Sequence, residues 1–199
     1  MYTSTESVSE EIRMDMNSKK AFNDRIKFEE EGNYKEALES YNFVNENDND
    51  NYEESRKHIN SIKEVLKNEE ILSVYEAKLV TTATASMDIY PNQIQVILKN
   101  NDSRNIVKFE ITIFAYDENN NPVKIKDKGL ETEDYLFLGV ADNINIHPAD
   151  TWGYEYGWSI FNDNIDRIEA CVEYAQYDDG TNWDNPLYLQ WLKDHWVDE

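Results

Sequence analysis

The 199-residue chain is poor in the residues that tight loops and metal sites are commonly built from, with 6 glycines, 4 prolines, 3 histidines and 1 cysteine. A lone cysteine, Cys171, excludes an intrachain disulfide and a thiolate metal cluster. Its neighbours Glu169, Ala170, Val172 and Glu173 offer no cation to favour the thiolate, so it reads as a small half-buried side chain and not as a nucleophile. His58, His147 and His195 stand far apart, none with a partner at ligand spacing. A glycine loop for phosphate, a Gly-x-Ser-x-Gly elbow and a cysteine–histidine pair are all missing. Carboxylates are numerous enough for a glycosidase-like pair to arise, so a glycan-cleaving enzyme stands as the most distant reading. No catalytic residue, cofactor or metal is expected.

Basic charge is scarce as well. Against 41 acidic residues there are 19 basic ones, a net charge of −22. The excess is diffuse: residues 1–70 carry 18 acids and 10 bases (net −8), and residues 71–199 carry 23 acids and 9 bases (net −14). Such a surface repels phosphate, so nucleic acid and anionic membranes are not expected partners. No row of carboxylates at phosphate spacing suggests mimicry of DNA, and the charge reads as solubility. No apolar run approaches the length of a membrane span, and residues 1–17 are too polar for a signal-peptide core. What is present suffices for a folded core: 40% hydrophobic and 13% aromatic residues.

The order of patterns predicts an α+β chain. Residues 1–16, rich in Ser, Thr and Glu, read as a disordered lead-in. Residues 17–71 read as helical. Ala21, Phe22, Ile26 and Phe28 keep helical spacing until Gly32-Asn33 stops them; Ala37, Leu38, Tyr41 and Val44 form a second stripe. The tract Asn45–Asn51 reads as a loop, and Ile59, Ile62, Val65 and Leu66 mark a third helix from about Tyr52 to Ile71. From residue 72 the period becomes two. Ile94, Val96 and Leu98 share one face, and Val107, Phe109, Ile111, Ile113 and Ala115 another, with Asn100–Ser103 as the turn that joins the two strands in an antiparallel hairpin. Further strands are expected over Tyr75–Thr82, Val123–Lys126, Tyr135–Ala141, Thr151–Trp158 and Ile168–Tyr177, and about seven short strands point to a β-sandwich over residues 72–199.

Two resemblances add to this. The run Glu31-Gly32-Asn33-Tyr34-Lys35-Glu36-Ala37-Leu38-Glu39-Ser40-Tyr41 resembles the turn and second helix of a tetratricopeptide repeat, with Gly32, Tyr34, Ala37 and Tyr41 at the pattern positions. Arg25 and Asn49 depart from that pattern. Stacked arrays need about three repeats, so one repeat implies a docked helical hairpin more than a peptide groove. The stretches Val96–Ser103, Val107–Ile111, Tyr116–Val123 and Ile146–Asp150 are similar to immunoglobulin-like domains of the bacterial cell envelope, with Asn121 and Ala149 where those domains usually have glycine. The ending Asp179-Gly180-x-x-Trp183-x-Asn185-Pro186 resembles an uncharacterised branch of that group common in Gram-positive bacteria. The resemblance implies a non-enzymatic binding or scaffolding protein outside the cytoplasm, its partner a protein or a cell-wall polysaccharide. Any export signal or lipid anchor would belong to a segment missing from these residues.

Three stretches are candidate sites. In an extended Thr151–Trp158 strand, Trp152, Tyr154, Tyr156 and Trp158 fall on one face. Turned inward the four rings are core; turned outward they are a ligand-binding ladder for sugar rings, which makes a carbohydrate-binding module the alternative function. The loop from Asp178 fails the EF-hand register, with Trp183 at its sixth place and Leu189 at its twelfth. A looser Ca²⁺ site of Asp178, Asp179, Asn182 and Asp184 stays open. Asp117–Pro122 reads as a hairpin loop. Asn185-Pro186 reads as the start of a short helix to about Asp194, with Leu187, Trp191 and His195 on one stripe, folding Trp183 and Trp191 over an open end of the β body.

Overall fold

The computed structural model describes residues 20, 24–25, 27–44, 47–48, 51–81, 92–127 and 133–196. The expected lead-in over residues 1–16 lies outside them. The chain divides into two compact units, Met1–Glu69 and Glu70–Glu199. It is a mixed α+β protein whose sheets are antiparallel.

In the first unit the helical residues 27–30 end where Gly32 takes φ 73°. Asn33 N–H bonds the Phe28 carbonyl (2.8 Å) and Gly32 N–H the Glu29 carbonyl (3.0 Å), the paired closure that a left-handed glycine permits at a helix end. Helix α1 (Tyr34–Asn42) buries Ala37, Leu38 and Tyr41. Helix α2 (Tyr52–Asn68) buries Ser55, Ile59, Ile62 and Leu66. Tyr41 is the pin of this unit. Its hydroxyl donates to Glu29 (2.7 Å), its ring stacks on His58 (5.2 Å) and the Arg25 guanidinium lies 5.0 Å from the ring centroid. Burial and the bond to Glu29 hold the phenol well above its usual pKa. Two expectations are corrected: Val65 is exposed beside the stripe, and α2 stops at Asn68 because residues from Leu72 onward join a sheet.

The second unit has two main sheets. The first runs β1 (Leu72–Thr81), β2 (Asn92–Asn100) and β8 (Thr151–Trp152), with β9 (Trp158–Ile160) also on β2. The second runs β11 (Asn182–Asp184), β10 (Arg167–Tyr177), β3 (Ile106–Tyr116) and β4 (Pro122–Val123), with β7 (Phe137–Ala141) also on β3. Strands β5 (Ile125–Lys126) and β6 (Glu133–Asp134) form a small separate pair. The expected hairpin of β2 with β3 is corrected: the chain crosses at Asn100–Ser103 from one sheet to the other, and Ile94, Val96 and Leu98 from the first sheet and Phe109, Ile111, Ile113, Val172 and Ala175 from the second fill one buried core. That shared interior is the main hydrophobic stabilisation of the unit.

Three register shifts break the simple alternation, and one of them passes over Val107 of β3 between Gln176↔Lys108 and Tyr177↔Ile106, so that Ile106 and not the expected Val107 enters the core. Between Val172 and Tyr174, and between Val74 and Glu76, one extra residue is inserted. Each bulge reverses which parity faces inward, so the core face of β10 passes from Ile168 and Val172 to Ala175 and Tyr177. The Asp117–Pro122 loop is a hairpin turn. Asp117 accepts the N–H groups of Asn119 (2.9 Å) and Asn121 (2.8 Å), and Asn120 takes φ 61°. Ala149, at the place where the resemblance expects glycine, has φ 66°.

Helix α3 (Tyr188–His195) does not close an open end of the β body. It lies on the second sheet, against the side chains that alternate with the core face: Tyr188 bonds Thr112 (2.8 Å), while Trp191 and His195 pack on Phe114 (5.5 and 6.0 Å). His195 also bonds Glu169 of β10 and the Trp191 carbonyl. The helix starts two residues later than Pro186 because Asn185 is buried and tied to β10, its Nδ2 donating to the Val172 carbonyl (2.7 Å) and its Oδ1 accepting Leu187 N–H (2.9 Å). Trp183, opposite Ala175, turns the other way and packs against the core.

Candidate functional site

The expected Thr151–Trp158 strand is interrupted, which corrects the picture of four rings on one face. Trp152 pairs with Leu98 and Trp158 with Ile94, so six steps of chain lie opposite four, and two residues are looped out. An even excess preserves facing: both tryptophans still point to the core side of the sheet. Glycine permits the loop at both ends. At Gly153, with φ 114°, an added Cβ would sit 2.1 Å from the Val96 carbonyl oxygen; at Gly157 it would sit 2.9 Å from that of Ile94. Gln95 Nε2 donates to the Tyr154 carbonyl (2.8 Å) and fastens the loop to β2.

The rings divide accordingly. Trp152 and Trp158 are half-buried against the core, Trp152 edge-on to Phe109 (4.9 Å) and Trp158 edge-on to Phe137 (6.4 Å). Tyr156 folds back onto Trp152 in a near-parallel stack, 5.0 Å between centroids at 6°, and is 58% exposed. Such offset stacks add about 0.5–1.5 kcal/mol beyond buried area. Tyr154 is exposed on the loop and lies apart from the stack. Trp152, Tyr156 and Trp158 therefore converge, and Tyr154 does not.

Together with Gly157, the three rings form one wall of a groove of about 420 Å³. The other wall is Val140, Ala141, Asp142, Asn143 and Ile144, the end of β7 and the turn after it. The groove thus runs between the edges of the two sheets. Gly139 makes the fit possible: a Cβ there would lie 2.8 Å from Trp158 Cζ2 and 2.8 Å from Ile111 Cγ1. Asn143, at φ 55°, reverses the chain at the mouth. No motif in the sequence marks this second wall. A trace of it is the run Phe137-Leu138-Gly139-Val140-Ala141, apolar at every position, where a strand with one wet face would alternate.

The remaining candidates are used elsewhere. Asp178 accepts Asn105, Asp179 accepts the N–H and hydroxyl of Thr181, and Asn182 accepts Tyr174 and Gln176, so three of the four expected Ca²⁺ ligands face different partners. Among the described residues no three His, Cys, Asp or Glu side chains are placed to hold a metal ion. Cys171 is buried, and burial, with the Glu70 and Glu173 carboxylates, pushes its thiol up to about 12. An acidic cleft of about 400 Å³ between Asp117–Asn119 and Asp163–Asp166 lines up carboxylates, but Asp117 is already satisfied by Asn121 and Asn119, which lower its pKa. His58 contacts Glu29 and Glu54, and His147 contacts Asn105. No helix among the described residues is long and apolar enough to cross a membrane.

Comparisons with known proteins are silent on chemistry. The fold is similar to the 1.85 Å X-ray structure of a hypothetical protein from Peptoclostridium difficile 630, with a TM-score of 0.55 at 16% identity, covering 65% of this chain and 93% of that one. A structural-genomics consortium target aligns at a TM-score of 0.29 and 10% identity over 57% of this chain and 80% of that one. No curated protein matches the sequence. A family model matches residues 93–198, the part that contains most of the core, the groove and α3, and the chain therefore belongs to the family of unknown function DUF5780.

Proposed function

We propose that this is a non-enzymatic binding or scaffolding protein of the bacterial cell envelope. In this reading an immunoglobulin-like sandwich presents the groove between its sheet edges, and a tetratricopeptide-like helical hairpin precedes it. The observation that carries the reading is the Trp152–Tyr156 stack, a large apolar surface kept partly in water beside Val140 and Asn143. An aromatic that is ordered yet exposed lowers the entropy cost of capturing a ligand. Support for a binding role over catalysis is the lining itself, in which Asp142 and Tyr156 are the only ionisable side chains. The envelope placement rests on the turn motifs of residues 96–123 and 146–150.

A second reading, a carbohydrate-binding module, is favoured by one specific feature: the Tyr156 plane, stacked on Trp152 and next to Asp142 and Asn143, suits a sugar ring with hydroxyls on its rim. Titrating tryptophan emission with soluble cell-wall polysaccharide and with candidate envelope peptides tests both. A saturable change weakened at least tenfold in Tyr156→Ala, with the ligand recovered intact, supports binding. Identical titrations of the two proteins, or a cleaved ligand, contradict it.

A further inference from the structure

The two sheets of the second unit treat their edges differently. Edge strand β1 is bulged between Val74 and Glu76 and carries the Glu76–Lys78 ion pair (2.8 Å) on its surface. Bulges and charges are the usual protection of an exposed edge against pairing with another chain. Strand β7 has neither. It reads Phe137-Leu138-Gly139-Val140-Ala141, without charge or proline, and its register with β3 is unbroken from Phe109↔Ala141 to Ile113↔Phe137. Leu138 and Val140 are 59% and 51% exposed. Among the described residues no strand pairs with the other side of β7. The aromatic groove opens along this same strand, through Val140 and Ala141.

Resting on the binding role proposed above, we infer that the occupant is an extended, basic segment of another protein that adds to β7 as a further antiparallel or parallel strand. Ladder bonds to β7 hold its backbone. Alternate side chains enter the groove against Trp152, Tyr156 and Trp158, and the intervening ones cross Leu138 and Val140. Period two fits both walls at once. The charge selects the partner. Residues 71–199 carry net −14 and Asp142 stands in the groove wall, so a lysine- or arginine-bearing strand is attracted while a second copy of this chain is repelled.

The probe is a panel of capped octapeptides that alternate lysine with valine, leucine or tyrosine, each also made with N-methyl groups on odd or on even residues. Amide shifts of the full chain are followed by NMR, and affinity by tryptophan emission. A bound strand turns one parity of its N–H groups to β7 and the other to solvent. The expected result is a saturable shift at residues 137–141, abolished by one N-methyl parity and kept by the other. Leu138→Lys and Val140→Lys, at exposed positions that leave folding intact, each weaken it at least tenfold. Equal behaviour of both parities, no saturable shift at 137–141 up to millimolar peptide, or a dimer formed through β7 without peptide overturns the inference. Polysaccharide binding that depends on Tyr156, with no peptide effect, overturns it while leaving the groove as a binding site. Insensitivity of every ligand to Tyr156→Ala removes the groove as well.

Discussion

Asn100→Ala should destabilise the second unit more than any neighbouring polar change. Asn100 is fully buried at the end of β2 and serves three main-chain groups: its Nδ2 donates to the carbonyls of Arg104 (2.8 Å) and Ile146 (2.9 Å), and its Oδ1 accepts Asp102 N–H (2.9 Å). Its own main chain bonds Asp150 and Ala149, so one residue ties β2 to the turn that feeds Trp152. A hydrogen bond contributes about 1 kcal/mol net, and an orphaned buried partner costs about 1–3 kcal/mol. Arg104 and Asp102 are near enough to solvent for water to replace Asn100, and the buried Ile146 carbonyl keeps the Ile106 N–H (3.1 Å), so no acceptor is orphaned and the lost bonds place the cost at about 2 kcal/mol. Asn101→Ala is the control. Its amide bonds Glu70 and Ser73 at an exposed position, and the loss there should stay under about 1 kcal/mol. Urea denaturation followed by tryptophan emission reads the second unit alone, because all five tryptophans, Trp152, Trp158, Trp183, Trp191 and Trp196, lie in it. Equal midpoints for Asn100→Ala and wild type would refute the argument.

Two further predictions concern titration and reactivity. The Asp102 carboxylate is held well below the usual carboxylate range, first by the Arg104 guanidinium and also by the Tyr177 hydroxyl (2.7 Å). A depressed folded pKa gives stability that is complete above the unfolded value of about 4 and is lost as pH falls toward the folded value. The urea midpoint should therefore drop between pH 6 and pH 3 by less in Asp102→Asn than in wild type; an unchanged drop contradicts this. Cys171, buried and with its thiol raised to about 12, should react with iodoacetamide at pH 8 at least a hundredfold more slowly folded than in urea, and equal rates would contradict its burial.

Elements with a clean period were legible in the sequence. Ile94, Val96 and Leu98 on β2, and Phe109, Ile111 and Ile113 on β3, are buried on the predicted face, since each strand is regular over that span. Gly32-Asn33 closes its helix by the chemistry that glycine allows. What escaped was long-range. The one-residue bulges in β1 and β10 reverse facing and leave no local mark, because nothing in Val74–Glu76 or Val172–Tyr174 differs from ordinary strand residues. The two-residue excess between Trp152 and Trp158 preserved facing, so the tryptophans went where parity put them while Tyr156 left the row. Half of the candidate groove comes from β7 and its turn, brought there by pairing with β3, and only the uniform apolarity of residues 137–141 hinted at it. Helix α3 was read correctly as a helix, but Asn185 bonding to Val172 delayed its start and Thr112 with Phe114 set its berth on the sheet.

In the proposed function the aromatic groove is the place where ligands are held. Amide-shift mapping of the full chain, titrated with cell-wall polysaccharide and with basic extended peptides, examines that directly. Perturbations should gather at residues 138–144 and 152–158. Saturable binding whose shifts gather in the acidic cleft at 117–119 and 163–166, or in helices α1 and α2, with the groove unmoved, would contradict it.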